Sequence, residues 1–202
     1  MAWTYELLAW FALVAGDYPT VIDNARAGRA LAPHTSAGVQ LAVQEAKAWV
    51  KLGDRRGAEE AMRQGGAALS RLPAPLHPDH HFVFDASKLS FYAATVYVWL
   101  GAPDRAQEHA EHVIAQCTTG NGVGRWPTRL AIAQIDLGLV AAQRREYGEA
   151  AARGILALEA GRVVASTMGW IKELDTTLQQ AQPCSAEVQQ LHERYLLASR
   201  SW

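Results

Sequence analysis

The residue types that could ligate a metal gather at one place, His77, Asp79, His80, His81 and Asp85. Neutral imidazole and carboxylate together hold zinc or another divalent ion. The His-x2-His-His spacing matches no established site, and the surrounding PAPLHPDHHFVFD, from Pro73 to Asp85, carries proline at a density that stops helices. It reads as a connecting loop whose histidines cap helix ends and whose Phe82-Val83-Phe84 plugs the fold. His77, His80 and His81 are the residual metal candidates, and no cofactor is expected. Gly120-Asn121-Gly122-Val123-Gly124 imitates a phosphate-cradling loop, but such loops need a preceding strand and a helix starting on fixed glycines. Neither context is present, so it reads as a flexible connection. Cys184 precedes an expected helix, a position where a thiol can be activated, yet no base is near it in sequence. No Ser/His/Asp arrangement or paired-carboxylate motif is recognisable. The expectation is a protein that is not an enzyme.

The chain has 202 residues, 19 Lys+Arg against 20 Asp+Glu, and 50% hydrophobic residues. Such near-neutrality argues against nucleic-acid binding, which needs excess Lys and Arg to neutralise phosphates. No run of 18 or more apolar residues exists, as a membrane-spanning helix requires. The opening MAWTYELLAWFALVAG is apolar, but Glu6 is its only charge and it lacks the positive start of a secretory signal. It reads as a buried helix. The two cysteines, Cys117 and Cys184, are far apart and form no CxxC pair, which fits a reducing cytoplasm. Alanine, the strongest helix former, is heavily used, so the chain should be nearly all helix.

Four stretches share one grammar, starting at Leu7, Val43, Leu89 and Leu130. In each, an apolar-periodic helix ends at a turn: Gly16-Asp17-Tyr18, Gly53-Asp54, Gly101-Ala102-Pro103-Asp104 or Arg145-Glu146-Tyr147. Glycine supplies the left-handed conformation that lets a helix stop and the chain reverse. A small residue follows five positions after the turn begins (Val21, Ala58, Ala106, Ala150), and another precedes it by seven (Ala9, Ala46, Ala94, Gly138). Small side chains there let two antiparallel helices approach closely, with Trp49 and Tyr97 filling the next groove. Two more helices should follow, about 163–181 and 185–199, separated at Pro183 and capped by Cys184 or Ser185.

This grammar resembles the tetratricopeptide repeat, with its W-x2-LG-x2-Y…A-x3-F…P pattern. The turns fall at 16, 53, 101 and 145, so every interval exceeds the repeat's usual 34 residues and extra residues sit between hairpins. The expected fold is all-α: a right-handed solenoid of about four antiparallel helical hairpins plus C-terminal helices, one domain over residues 1–202. The stretches from His80 to Ala110 and from Arg125 to Ser166 are similar, more narrowly, to the C-terminal region of large helix-turn-helix regulators of the XRE type in high-GC bacteria. The chain carries no helix-turn-helix signature. The resemblance therefore implies the sensory portion of such a regulator, cut out or free-standing, that senses a signal or contacts a protein without binding a promoter itself.

The first helices of stacked hairpins line a concave groove. In the third unit the inward stripe is Phe91, Thr95 and Trp99, extended by Lys88. Its equivalents are Val43, Lys47 and Lys51 in the second unit and Glu6, Trp10 and Val14 in the first. In the fourth they are Ile135, Leu139 and Gln143, extended by Arg129. Aromatic faces among lysines suit a peptide or a small acidic, hydrophobic metabolite. The alternative is that Phe91 and Trp99 only pack between hairpins. The first helix shows Trp3, Leu7, Leu8, Trp10, Phe11, Leu13 and Val14 around nearly its whole circumference, although the end of a solenoid needs a polar face. A second copy of the chain, or sequence outside this chain, is expected to cover it. The competing function is accordingly an assembly scaffold that dimerises through this helix without a small ligand, with a helical-repeat enzyme third.

Overall fold

A computed structural model describes residues 1–74, 80, 82–118, 126–160 and 164–200. The described residues form ten α-helices and no β-strand. They are α1 (Ala2–Ala15), α2 (Tyr18–Leu31), α3 (Ser36–Lys51), α4 (Arg55–Leu69), α5 (Ala86–Trp99), α6 (Pro103–Cys117), α7 (Pro127–Gln143), α8 (Tyr147–Glu159), α9 (Ala165–Ala181) and α10 (Ala186–Ser199). None is long and apolar enough to cross a membrane. His77, Asp79 and His81 of the metal-type cluster, and Gly120 to Gly124, lie outside the described residues.

The turns form for the reason their residues suggest. Gly16, Gly53 and Gly101 take φ of 77°, 78° and 62°, the left-handed region that glycine enters without steric cost. The fourth turn lacks glycine, and Arg145 takes φ 65° in its place. The residue after the left-handed position then bonds back to a carbonyl of the helix just ended: Asp17 N–H to Ala12 at 2.9 Å, Asp54 to Trp49 at 2.9 Å and Glu146 to Ala141 at 2.9 Å. These bonds satisfy carbonyls that a helix end would otherwise leave without partners. Asp17 and Asp54 cap the helices that follow, accepting from Thr20 N–H at 3.2 Å and Gly57 N–H at 2.8 Å. Ser185 caps α10 in the same way, accepting from Val188 N–H.

The chain divides into two compact units, Met1–Leu100 and Gly101–Trp202. The two helices of the third expected hairpin thus belong to different units, α5 to the first and α6 to the second. In the first unit α3 is the centre: α2 and α4 pack on one side of it, α1 and α5 on the other. It is buried from Ala37 to Ala48. In the second unit α7 is flanked by α6, α8 and α9, and α10 closes over α8 and α9. The small positions flanking the turns, Ala9, Val21, Ala46, Ala58, Ala94, Ala106, Gly138 and Ala150, are all buried. Gly138 shows why. A Cβ there would stand 2.8 Å from the Leu174 side chain and 3.1 Å from the Ala150 carbonyl oxygen.

One helix departs from this burial. α1 covers Ala9 and Ala12 but leaves Leu7, Leu8, Trp10, Phe11 and Val14 exposed, at 43–69% of their surface. The expectation that the N-terminal segment forms a helix holds. Within this single chain, though, only one side of that helix is buried.

Candidate functional site

α3 separates two faces of the first unit, and their chemistry differs. Residues 38, 42, 45 and 49 point toward α2 and α4, whereas 40, 44, 47 and 51 point the opposite way, as the helical period requires. The α2–α4 side holds a groove of about 700 Å3 with Gly38, Ala42 and Ala61 in its floor. Its charges are internally matched. The buried Glu45 carboxylate accepts from Arg26 Nε at 2.9 Å, Arg29 Nη1 at 2.5 Å and Trp49 Nε1 at 3.2 Å. Arg29 also donates to Gln64, and the Arg26 guanidinium lies 5.4 Å from the centre of the Trp49 ring. Guanidinium and carboxylate here tie α2, α3 and α4 together, which is an architectural task.

The other face is where most of the sequence-derived site residues meet. Gln44 Nε2 donates to Glu6 Oε1 of α1 at 2.7 Å, and Gln40 Nε2 to the Tyr92 hydroxyl of α5 at 2.8 Å. The Lys47 ammonium stands 4.6 Å from the centre of the Tyr92 ring, and that of Lys51 3.7 Å from the Trp99 ring. Both are cation–π contacts. Lys88 donates its ammonium to the Val83 carbonyl, while its backbone N–H is capped by Asp85 Oδ1 at 2.7 Å. Phe84 is buried, stacks on Tyr92 with centroids 6.0 Å apart, and hydrogen-bonds through its N–H to Ser36 Oγ. Phe82 remains half-exposed against Trp3, at 4.9 Å. Of the Phe82-Val83-Phe84 plug, Phe84 alone is buried.

Burial is unusually heavy for such polar side chains. Gln40, Gln44, Lys47 and Thr95 are each under 10% exposed. Glu6 is only partly covered, but that burial raises its carboxyl above the ordinary value; hydrogen bonds from Gln44 and Gln40 and the Lys88 charge offset part of the effect. Raising by desolvation is the expected response of a carboxylate withdrawn from water.

Of the expected stripe, Glu6, Trp10, Lys47, Lys51, Lys88, Phe91, Thr95 and Trp99 thus belong to the first unit. Gln44 holds Glu6, Gln40 and Lys47 meet at Tyr92, and the Lys88 charge acts on Glu6; Phe91 adjoins Tyr92 at 4.9 Å. Thr95 is almost fully buried, and Val43 belongs to the core. Arg129 and Gln143 lie on α7 in the second unit, where the Arg129 guanidinium sits 4.4 Å from the centre of the Trp126 ring and Gln143 is exposed. Sequence reasoning missed Gln40, Gln44 and Tyr92. The 40/44/47/51 spacing was the available signal for the two glutamines, since it continues the lysine stripe one and two turns toward the start of α3.

A buried acidic group also meets a histidine in the second unit. His192 Nδ1 lies 2.9 Å from the buried Asp175 carboxylate, joining α10 to α9. Neither family models nor curated proteins give a match to this chain.

Proposed function

We propose that the chain is a non-enzymatic binding module, a right-handed stack of tetratricopeptide-like hairpins that takes a peptide or small metabolite on its inner face. In this reading α1, α3 and α5 are the first helices of successive hairpins, and their shared face is the concave groove. The regularity of the turns and of the small residues around them supports the stacking. The resemblance to the C-terminal region of XRE-type regulators supports a sensory role in the cytoplasm, acting on a partner and without direct contact to nucleic acid.

The observation that carries the binding reading is the meeting of Glu6, Gln40, Gln44, Lys47, Tyr92 and Trp99 from three helices on one face. Unlike the matched charges on the α2–α4 side, this face leaves a buried polar atom, the Gln44 side-chain oxygen, without a hydrogen-bond partner. An array of short peptides and acidic metabolites, screened on the full chain and followed by tryptophan fluorescence, tests it. Trp99→Ala should weaken the best binder by about 2 kcal/mol, the size of a hot-spot loss. Arg56→Ala, in the opposite groove, should leave it unchanged. Affinity lost only in Arg56→Ala, or no binder at all, would overturn the reading.

A second reading rests on a different observation, the exposed Leu7, Leu8, Phe11 and Val14 of α1. Glu6 is the only charge on that helix, so two copies can bring these faces together with little like-charge repulsion. Self-association should then appear in the concentration dependence of the sedimentation-derived mass and vanish in Leu7→Glu/Phe11→Glu. A monomeric mass at all concentrations would rule it out.

A further inference from the structure

The lysines of the inner face already have partners within the chain: Lys47 and Lys51 on aromatic rings, Lys88 on a backbone carbonyl. Glu6 stands differently. Its carboxylate is partly buried, hydrogen-bonded by the Gln44 amide at 2.7 Å and also by Gln40, and feels the Lys88 charge, but among the described residues no ion pair reaches it. Beside it the Gln44 side-chain oxygen is buried and accepts no hydrogen bond, although Gln44 itself is 97% buried, with 3% of its surface exposed. A partly buried carboxylate without a contact ion pair and a buried acceptor without a donor are both costly, and one kind of group relieves both: a cation bearing N–H donors. Trp3 and Trp10 lie three residues before and four after Glu6, on the same stripe of α1. Indole faces next to a carboxylate are the surroundings that organic cations prefer.

We infer that Glu6, Gln44 and the flanking Trp3 and Trp10 form a subsite for the ammonium or guanidinium of a basic side chain on a peptide partner. A peptide is favoured over a free small cation because the exposed Leu7 and Val14 adjoin Trp3 and Trp10 around α1 and would receive its apolar neighbours. Glu6 is the element that moves to admit the donor. It is a long, partly exposed side chain, and such rotamers exchange in picoseconds to nanoseconds. The inference rests on the inner-face reading above and gives that face a polarity opposite to the acidic ligand its lysines suggest.

Calorimetric titration of the full chain with three acetylated, amidated peptides decides it. All share a Leu/Ala/Phe frame and differ at one central position, holding arginine, citrulline (the same shape without charge) or glutamate; N-ethylguanidinium is the fourth probe. The arginine peptide should bind at least tenfold more tightly than the citrulline peptide and than N-ethylguanidinium. Glu6→Gln should abolish that preference and Gln44→Met should reduce it, both variants keeping a cooperative thermal melt by circular dichroism. Should Gln44→Met fail to fold, Glu6→Gln alone decides. Equal binding of arginine and citrulline peptides, or a preference indifferent to Glu6→Gln, would overturn the subsite. So would N-ethylguanidinium binding as tightly as the arginine peptide, which would make the ligand a free small cation. A glutamate-peptide preference removed by Trp99→Ala would overturn the subsite yet leave the inner face as a binding face. No binding by any probe would contradict the subsite, and the array screen then judges the inner face independently.

Discussion

At the scale of single residues, the inner face holds groups that folding alone would not select. Desolvation raises the Glu6 carboxyl, so the folded chain holds that proton more tightly than the unfolded chain does. The sign follows from linkage: this group's contribution favours folding in acid and works against it as pH rises through the raised value. Glu6→Gln keeps a hydrogen-bonding side chain and removes the charge. It should therefore stabilise the protein at neutral pH, by only ~0.5 kcal/mol because solvent screens a partly exposed carboxylate. The gain should shrink as pH falls through the raised value, which urea midpoints at several pH values would show. A variant less stable than wild type at neutral pH would mean that the Glu6 charge supports the fold. Gain in stability together with loss of binding is the pattern of a functional residue held at some cost to the fold.

At the scale of helices and turns, the sequence was most legible where backbone conformation depends on one residue. Gly16, Gly53 and Gly101 mark left-handed turns because glycine alone occupies them without strain, and the buried Ala46, Ala58, Ala106 and Ala150 follow from fixed distances to those turns. Arg145 performs the same turn with a Cβ, which costs about 1–2 kcal/mol in this conformation. Arg145→Gly should thus raise the thermal midpoint, with a net gain of about 0.5–1 kcal/mol after the extra freedom of glycine in the unfolded chain is counted. An unchanged or lowered midpoint would mean that Arg145 makes compensating contacts. Close packing gives the opposite sign. Gly138→Ala would press a methyl against Leu174 and the Ala150 carbonyl, and Ala106→Leu would force bulk into a fully buried site on α6. Each should lose about 1–3 kcal/mol in denaturant unfolding. Retained stability in both would remove these positions from the helix contacts.

For the molecule as a whole, helical content and turn positions were readable, while the composition of the inner face was not. α3 is buried on both sides, so its period cannot tell which stripe meets α1 and α5 and which meets α2 and α4. Gln40 and Gln44 look like solvent-facing residues until Tyr92 and Glu6, distant in sequence, are brought to them. The lysines were legible as a stripe, but their rings were not, because cation–π pairing depends on contacts between helices. Glu45 carries the same lesson: its arginines lie in the preceding helix, and only packing turns three separate charges into one knot. The apolar character of α1 could be read from sequence, but not which side of it would stay exposed.

A partner bound on the face shared by α1, α3 and α5, as proposed, would shield those three helices and spare α2 and α4. Hydrogen exchange measured by mass spectrometry tests it most directly, comparing the chain alone with the chain saturated by the tightest peptide from the array. Exchange should slow in segments 1–15, 36–51 and 86–99, with 18–31 and 55–69 unchanged. Slowing confined to those last two segments, or to residues beyond 100, would contradict it.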